Sequence, residues 1–284
     1  MEKASNKAIG RFAPTPSGAL HFGSLIAALG SYLSAKSQGG KWLVRIEDID
    51  RARNVKGADR AILRQLEAYA LFWDGEVLYQ SKRIEAYRAA IAALGDLVYP
   101  CRCSRADLAA FGGVHPPMCP VKNGGDSFAL RLRVTDETIG FHDRLCGYFS
   151  QNLREEVGDF ALFNALGEPT YQLAVVVDDE FSGVTEIARG RDLLDSTPRQ
   201  IYLRRVLGFS SPVYAHLPLA TGSDGAKLSK QNLAEPIKAE NASQTLIDAL
   251  VFLGFAPPCA LAGERPIAVI KWALGAYPRV FRSP

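Results

Sequence analysis

The chain contains no run of eighteen apolar residues, and residues 1–7 lack the apolar core of a secretory signal peptide. A membrane-spanning helix needs about twenty mostly apolar residues, and a signal peptide needs an apolar segment near its start. We therefore expect a cytoplasmic protein that has no membrane partner. Internal repeats and low-complexity segments are also absent from the sequence, so neither a repeat array nor a biased linker is indicated.

Cysteine is scarce and charge is nearly balanced. The five cysteines form an odd number, and three of them cluster at positions 101, 103 and 119. This usage argues against a disulfide framework and favours a reducing compartment and a metal site. The net charge is only +3, which neither requires nor excludes a nucleic-acid partner. An apolar fraction of 48% and a charged fraction of 22% are typical of a soluble globular enzyme.

Two short strings, about two hundred positions apart, carry most of the information in the chain. Residues 14–24 form a loop rich in proline and glycine that runs into an apolar helical pattern, and residues 227–231 read Lys-Leu-Ser-Lys-Gln after a turn-rich loop. A helix N-terminus offers free backbone N–H groups and the positive end of a dipole, so the first string suits a polyphosphate. The second string supplies two lysines that could clamp ATP against that helix.

The two strings resemble the HIGH and KMSKS signatures of class I aminoacyl-tRNA synthetases. His21-Phe22-Gly23-Ser24 corresponds to the first signature and Lys227-Leu228-Ser229-Lys230-Gln231 to the second. Three further strings, at residues 10–18, 45–51 and 186–193, resemble the glutamyl branch of that class. Because all five strings occur in order, the resemblance is more specific than any one of them alone.

Only 53 residues follow Gln231 in this sequence. That is too few for the large anticodon-binding region that a full glutamyl-tRNA synthetase carries after its lysine loop. The resemblance therefore points to the short paralogues of that enzyme, the family of glutamyl-queuosine tRNA(Asp) synthetases.

The resemblance also implies which residues bind substrate and which act in catalysis. The implied glutamate contacts are Arg11, Phe12, Ala13, Pro14, Thr15, Glu47, Tyr171 and Arg189. Among these, the two arginines suit carboxylate recognition and Glu47 matches the position that holds the α-amino group. Three alternatives stay open: Arg11 could form a structural ion pair, Glu47 could pair with Arg51 or Lys41 instead, and Tyr171 could pack in the core.

The ATP site is implied by the two signatures themselves. The implied ATP contacts are His21, Gly23, Lys227 and Lys230, and the implied catalytic residues are His21 and Lys230. In this interpretation Lys230 neutralises charge that develops on the phosphates, and Lys227 is the weaker candidate of the two lysines. Magnesium is expected to accompany ATP as substrate, although no residue can be identified as its ligand.

A second constellation consists of Cys101, Cys103, His115 and Cys119. Thiolates and an imidazole at these spacings can close a tetrahedral zinc site. The set resembles the zinc-binding insertion of the same family, in which tyrosine often stands where this chain has His115. We therefore predict one structural Zn²⁺ per chain; the alternative is a loop with three reduced cysteines and a chance histidine.

The apolar pattern predicts an α/β fold with a Rossmann-like, doubly wound parallel sheet. Strands are predicted at residues 9–13, 42–46, 127–134, 140–150 and 171–177, and helices at residues 24–36, 58–70, 84–97 and 198–207. In this interpretation Asp178 and Asp179 stand at the carboxyl end of a buried strand, where open α/β sheets bind ligands. There they would orient the nucleotide or cap a turn.

The chain is predicted to divide into four parts. Residues 1–98 form the first half of the catalytic domain, and residues 99–168 form an inserted zinc-binding module. Residues 169–235 form the second half of the catalytic domain with the lysine loop, and residues 236–284 form a short helical tail. In the tail, Leu246, Leu250 and Leu253 share one helical face and are expected to pack against the core.

The combined inferences predict an ATP-dependent ligase that forms glutamyl-adenylate and transfers glutamate to the queuosine base in the anticodon loop of tRNA(Asp). Its predicted partners are glutamate, ATP and queuosine-containing tRNA(Asp), and the predicted oligomeric state is a monomer. Three alternatives remain at this point: a truncated glutamyl-tRNA synthetase that charges a 3′ end, a nucleotidyltransferase of the pantothenate synthetase kind, and a tRNA-binding remnant without activity.

Overall fold

The structure is a computed structural model that describes residues 7–119, 127–220 and 235–280. Within these ranges the chain forms ten strands and nine α-helices. The strands are β1 (Ile9–Phe12), β2 (Lys41–Ile46), β3 (Leu78–Tyr79), β4 (Val98–Cys101), β5 (Ala129–Leu132), β6 (Thr138–Asp143), β7 (Gly147–Asn152), β8 (Phe160–Phe163), β9 (Glu186–Gly190) and β10 (Val213–Leu217). The helices are α1 (Phe22–Lys36), α2 (Ala58–Ala68), α3 (Ile84–Leu94), α4 (Arg105–Ala109), α5 (Leu153–Glu156), α6 (Tyr171–Phe181), α7 (Thr197–Val206), α8 (Ala242–Phe252) and α9 (Pro266–Val280).

The centre of the fold is built on parallel strand pairs. β1 pairs with β2 and β2 with β3, while β10 lies between β9 and β6. A backbone hydrogen bond from Thr185 N to Ile9 O, 2.9 Å long, links the start of β9 to β1 and so brings the two sheets side by side. This arrangement confirms the predicted Rossmann-like parallel fold.

Helix α1 connects β1 to β2 and is buried along most of its length. Its sequence is apolar or small almost all round, which is typical of a helix enclosed by the core. Gly30 permits this packing, because a Cβ atom at this position would meet the side chain of Leu217 on β10 at 2.5 Å. The close contact holds the middle of α1 against the end of β10.

The prediction of a strand at residues 171–177 was wrong. These residues form the first two turns of α6, and Leu173 to Val177 are buried. An unbroken apolar run of this length fits a buried strand and a buried helix equally well, and three consecutive valines favour a strand by propensity alone. Packing against α3, α7 and β8 on several sides overrides that propensity. Asp178 and Asp179 therefore lie inside a helix rather than at a strand end.

The middle of the chain contributes to two different sheets. β4, β5 and β8 form a small antiparallel sheet, as expected for an insertion. The hairpin of β6 and β7 instead joins the sheet that contains β9 and β10, because β6 pairs in parallel with β10 at Asp143 and Tyr214. This pairing places Asp143, the last residue of β6, beside β10.

The C-terminal helices pack as predicted. α8 and α9 lie against each other and against α1, and Leu246, Leu250 and Leu253 are buried at this interface. In the described part of the chain, no helix combines the length and the apolar character that crossing a membrane requires.

Candidate functional site

A cleft of about 1160 Å³ opens where the carboxyl ends of β1, β2, β9 and β10 meet the N-terminus of α1. All the predicted glutamate contacts line it, together with His21 and Gly23. The position at the ends of parallel strands is where open α/β sheets bind ligands. Lys227 and Lys230 lie outside the described residues.

Arg11 reaches the cleft from β1 and is held from behind by Asp179 of α6. Its Nε and Nη2 atoms donate to the two oxygens of Asp179 at 3.1 and 3.4 Å. Arg11 is therefore both an ion-paired residue and a lining residue, so the two interpretations of the sequence do not exclude each other. A carboxylate that grips Nε and Nη2 fixes the plane of the guanidinium.

Asp179 also binds a second arginine that the sequence analysis did not identify. Arg45 Nη1 donates to Asp179 Oδ1 at 2.6 Å, and Arg45 Nη2 donates to Glu47 Oε1 at 3.1 Å. Asp179 is only 1% exposed. Burial alone would raise its pKa, but the two guanidinium groups outweigh burial and hold the pKa of Asp179 well below its usual range. One buried carboxylate thus orients both Arg11 and, through Arg45, Glu47.

Glu47 follows β2 and lines the cleft as a negative group beside the arginines. Its backbone N–H donates to Pro14 O at 3.0 Å, which ties it to the opening loop. Burial raises the pKa of Glu47, although Arg45 opposes the shift. A substrate ammonium group placed beside this carboxylate would favour its ionised form.

Arg189 on β9 is the second cation of the cleft and has a different environment. Its five N–H donors are taken by five neutral acceptors: Tyr171 Oη, Gln200 Oε1, Leu193 O, Thr197 Oγ1 and His216 Nε2, at 2.8 to 3.4 Å. Among the described residues, no carboxylate oxygen lies within 4.0 Å of this guanidinium. Its geometry is fixed while its positive charge remains available to an anionic ligand.

The acceptor of the Arg189 Nε–H belongs to a buried pair of residues. His216 lies directly opposite Arg189 in the parallel register of β9 and β10, and its Nδ1 contacts Asp143 Oδ2 at 2.6 Å. Burial, helped by Arg189, lowers the pKa of His216 even though Asp143 opposes the shift. The imidazole is therefore neutral, with its proton on Nδ1 and its Nε2 lone pair directed at Arg189.

The N-terminus of α1 forms the far wall of the cleft. His21 is the N-cap residue: its Nδ1 accepts from Ser24 N at 3.3 Å, and Ser24 Oγ accepts from His21 N at 3.2 Å. This reciprocal pair fixes the start of the helix, where the first-turn N–H groups meet the cleft. Gly23 stands in that first turn.

The sequence analysis missed Arg45, Asp143, Gln200, Thr197 and His216, and misplaced Asp179. A signal existed for Arg45, because it alternates with Glu47 along a strand and so shares a face with it. Another existed for His216, a lone polar residue within the apolar string Tyr-Ala-His-Leu-Pro-Leu. Thr197 and Gln200 give no sequence signal that separates them from ordinary helix positions.

The predicted metal ligands also converge. The ligand atoms of Cys101, Cys103, His115 and Cys119 all lie within 4.8 Å of one another. Cys101 Sγ is 3.2 Å from His115 Nε2 and 3.7 Å from Cys119 Sγ, and Cys103 Sγ is 3.3 Å from Cys119 Sγ. A tetrahedral ion with Zn–S bonds of about 2.3 Å separates its sulfur ligands by about 3.8 Å, so the cluster is close to that size.

The surroundings of the cluster fit a metal as well. His115 Nδ1 lies 2.8 Å from Pro116 O, which leaves Nε2 directed at the cysteines. Arg131 Nε donates to Cys101 Sγ at 3.2 Å and so places a positive charge beside this sulfur atom. In metal sites, hydrogen bonds from surrounding groups to the ligand residues hold those residues in the orientation that binds the ion. The four residues could therefore hold a metal ion.

Comparison with protein families and curated relatives gives consistent results. The model for the catalytic domain of class I tRNA synthetases (E and Q) matches residues 7–110 and 117–260. The glutamyl-Q tRNA(Asp) synthetase of Ectopseudomonas mendocina is 49% identical over 267 residues, which cover 93% of this chain and 91% of that protein. The glutamyl-Q tRNA(Asp) synthetase of Thiobacillus denitrificans is 50% identical over 277 residues, with the same two coverages.

Solved structures give the same fold. The glutamate-tRNA synthetase of Elizabethkingia anophelis superposes with a TM-score of 0.70 at 28% identity. The match covers 80% of this chain and 53% of that one, so the chain spans about half the length of that synthetase. A putative arginyl-tRNA synthetase of Campylobacter jejuni, at 13% identity and a TM-score of 0.54, shows the fold alone.

Proposed function

Because the chain belongs to the glutamyl-Q tRNA(Asp) synthetases, within the class I tRNA synthetase family for glutamate and glutamine, we propose that it activates glutamate with ATP and transfers it to the queuosine base of tRNA(Asp). The observation that carries the choice of amino acid is that Arg11, Arg189 and Glu47 line a single cleft. Two cations and one anion complement a zwitterion with an extra carboxylate.

In this proposal the substrate carboxylates are divided between the two arginines. Arg189 takes the side-chain carboxylate, because its charge is balanced by no protein carboxylate among the described residues. The carboxylate would replace the two longest contacts of Arg189, those to Tyr171 Oη at 3.3 Å and to Leu193 O at 3.4 Å. Glu47 binds the α-ammonium group, and Arg11 lies at the other side of the cleft near the α-carboxylate.

ATP is proposed to bind along the N-terminus of α1. The N–H groups beside Gly23 and the positive end of the helix dipole favour the phosphates. Lys230, with Lys227, is proposed on the sequence signature to neutralise the phosphates during attack, and Mg²⁺ is proposed to accompany the nucleotide. The protein then contributes positioning and charge stabilisation rather than a covalent step.

The chemistry has two steps. An oxygen of the α-carboxylate of glutamate attacks the α-phosphorus of ATP. The new O–P bond gives glutamyl-adenylate, and pyrophosphate leaves. A hydroxyl of the cyclopentene ring of queuosine then attacks the activated carbonyl, loses its proton, and releases AMP. No Ser–His–Asp or Cys–His nucleophile is required, because the substrates provide both nucleophiles.

The proposed function predicts glutamate-dependent exchange of pyrophosphate into ATP without any tRNA, since every residue proposed for the activation step belongs to this chain. It also predicts that labelled glutamate is attached to tRNA(Asp) that contains queuosine and not to the same tRNA that lacks it. Both reactions are measured on the purified full chain, with aspartate and glutamine as matched amino-acid controls.

An isolated queuosine-containing anticodon stem-loop gives the sharpest acceptor test, because it has no natural acceptor end. Labelling of this fragment supports the proposal. Labelling of tRNA(Glu) without queuosine, with no labelling of the fragment, would instead show a synthetase that charges the 3′ end. Exchange with aspartate equal to that with glutamate would contradict the choice of amino acid.

We further propose that the metal at the cysteine cluster is a structural Zn²⁺ held by Cys101, Cys103, His115 and Cys119. Three thiolates and one imidazole are ligands that zinc prefers, and a fourth ligand closes the site against substrate. Histidine at position 115, where relatives of the resembled family often have tyrosine, supplies the nitrogen donor.

Elemental analysis of the purified chain is expected to find one zinc per molecule and almost none in Cys103→Ser. The variant should also melt at a lower temperature, because structural zinc couples to folding. Cys259→Ser, which removes an exposed cysteine that is not part of the cluster, is the matched control and should retain its zinc. Full zinc occupancy in Cys103→Ser would refute the ligand set.

Two properties remain predictions from the sequence alone: a monomeric state and a cytoplasmic location. Size-exclusion chromatography with light scattering measures the first. The cysteine usage supports the second, because a cluster of reduced thiols suits a reducing compartment.

A further inference from the structure

The described chain contains one buried histidine–carboxylate pair that no step above uses as a reactant. Asp143 and His216 lie behind Arg189, and both are buried, at 5% and 1% exposure. They come from two different strands, the last residue of β6 and the fourth residue of β10. Neither is among the residues that line the cleft.

We propose that Asp143 and His216 are positioning residues for glutamate: Asp143 fixes the tautomer of His216, and His216 then holds Arg189 in place through a neutral acceptor. The proposal rests on the proposed role of Arg189 in binding glutamate. A direct carboxylate partner would orient the guanidinium equally well, but it would also neutralise the charge that the substrate needs. The neutral imidazole of His216, which lies between Asp143 and Arg189, orients the guanidinium without neutralising its charge.

The hydrogen bonds determine which ring nitrogen carries the proton. Asp143 Oδ2 lies 2.6 Å from His216 Nδ1, and an ionised carboxylate only accepts, so the proton is on Nδ1. Hydrogen bonds from His216 and from backbone N–H groups outweigh burial and lower the pKa of Asp143 to about 2, so it is ionised. Nε2 is then an acceptor, as the donation from Arg189 Nε at 3.1 Å requires.

The carboxylate itself is locked in one orientation. Asp143 Oδ1 accepts from three backbone N–H groups, those of Leu145 and Cys146 at 2.9 Å and that of His216 at 3.1 Å. An asparagine at this position must therefore place its carbonyl oxygen at the Oδ1 site. Its NH₂ group must face His216 Nδ1.

This geometry makes Asp143→Asn a specific test. The amide NH₂ donates to His216 Nδ1, so the neutral ring must carry its proton on Nε2, opposite the Nε–H of Arg189. Two donors then face each other, and Arg189 loses one of its fixed contacts. We expect the KM for glutamate in pyrophosphate exchange to rise roughly tenfold to a hundredfold, the usual effect of losing a hydrogen bond to a charged group.

The readouts separate positioning from a general loss of structure. The KM for ATP should stay within about twofold, since α1 lies on the other wall of the cleft. Nitrogen-15 NMR of the histidine side chains should show His216 protonated on Nδ1 in the parent chain and on Nε2 in Asp143→Asn; His216→Gln assigns the signal. Asp96→Asn, an exposed carboxylate outside the cleft, is the matched control and should leave both KM values unchanged.

A second pair of variants keeps the test independent of whether Asp143→Asn folds. His216→Gln retains an oxygen acceptor for Arg189, whereas His216→Met has the same length but no strong acceptor. We expect the KM for glutamate to rise less than about threefold in the first and more than about tenfold in the second. In the His216→Gln background, Asp143→Asn should have little further effect, because no tautomer remains to be set.

The outcomes distinguish this inference from the proposed function. If the parent chain shows no glutamate-dependent exchange, the proposed function is refuted. If the parent chain is active but His216→Gln and His216→Met share one KM for glutamate, the positioning role is refuted. Equal increases of KM for glutamate and ATP in Asp143→Asn, or an unchanged tautomer with a raised KM, would also overturn it.

Discussion

Replacing Asp179 with asparagine is expected to abolish most glutamate activation and to destabilise the fold by about 3–5 kcal/mol. Asp179 is the shared carboxylate of Arg11 and Arg45, with contacts of 3.1 and 2.6 Å. Removing its charge takes the shared counterion away from two buried guanidinium groups, and Arg45 then keeps only its ion pair with Glu47. Urea unfolding and pyrophosphate exchange measure the two effects.

The adjacent Asp178 provides the matched control for Asp179→Asn. It lies in the same helix and is equally buried, but its partners are Arg83, Gln80 and Tyr87, at 2.5 to 3.0 Å. We expect Asp178→Asn to lower stability in a similar way while it changes the KM for glutamate much less. A wild-type KM for glutamate in Asp179→Asn would mean that Arg11 and Glu47 do not depend on this carboxylate for their positions.

Replacing Arg189 with lysine is expected to raise the KM for glutamate about a hundredfold, although the positive charge is retained. The guanidinium makes five directed hydrogen bonds from one plane, whereas an ammonium group has three donors and no fork. Lysine therefore cannot satisfy the buried acceptors around it and also present two parallel donors to a carboxylate. Steady-state exchange at varied glutamate measures the change.

Arg205→Lys is the matched control for Arg189→Lys. Arg205 is exposed and makes a two-point contact with Glu137, at 2.6 and 2.7 Å, on the surface of α7. Its replacement should leave the KM for glutamate and for ATP unchanged, because an exposed ion pair contributes little. If Arg189→Lys also binds glutamate normally, the side-chain carboxylate must be held elsewhere in the cleft.

These two predictions concern Asp179 and Arg189, and the sequence analysis described the surroundings of only one of them correctly. Arg189 stands in a string that the sequence analysis singled out by resemblance, and the structure places it in the cleft. Asp179 was also noticed, but with the wrong environment, because its segment was predicted to be a strand. The error arose because this apolar run has no polar interruptions. Without them, the sequence shows neither the 3.6-residue period of a helix nor the alternation of a strand.

The sequence by itself determined the features that are encoded locally. β1, the loop at residues 14–21, α1 and β2 follow from a strand pattern, turn residues and a helix start within forty positions, and the metal cluster follows from four ligands within nineteen. The residues of these segments that line the cleft could be singled out from the sequence, because chain neighbours determine where they lie.

Only the tertiary structure decided which groups stand behind the site. Arg45 and Asp179 are 134 positions apart, and Asp143 and His216 are 73 apart. The register of β6, β9 and β10 and the packing of α6 bring them together. Buried charges and histidines acquire their roles from the partners that burial forces on them. Those partners are set by contacts between distant segments, which a local pattern does not contain.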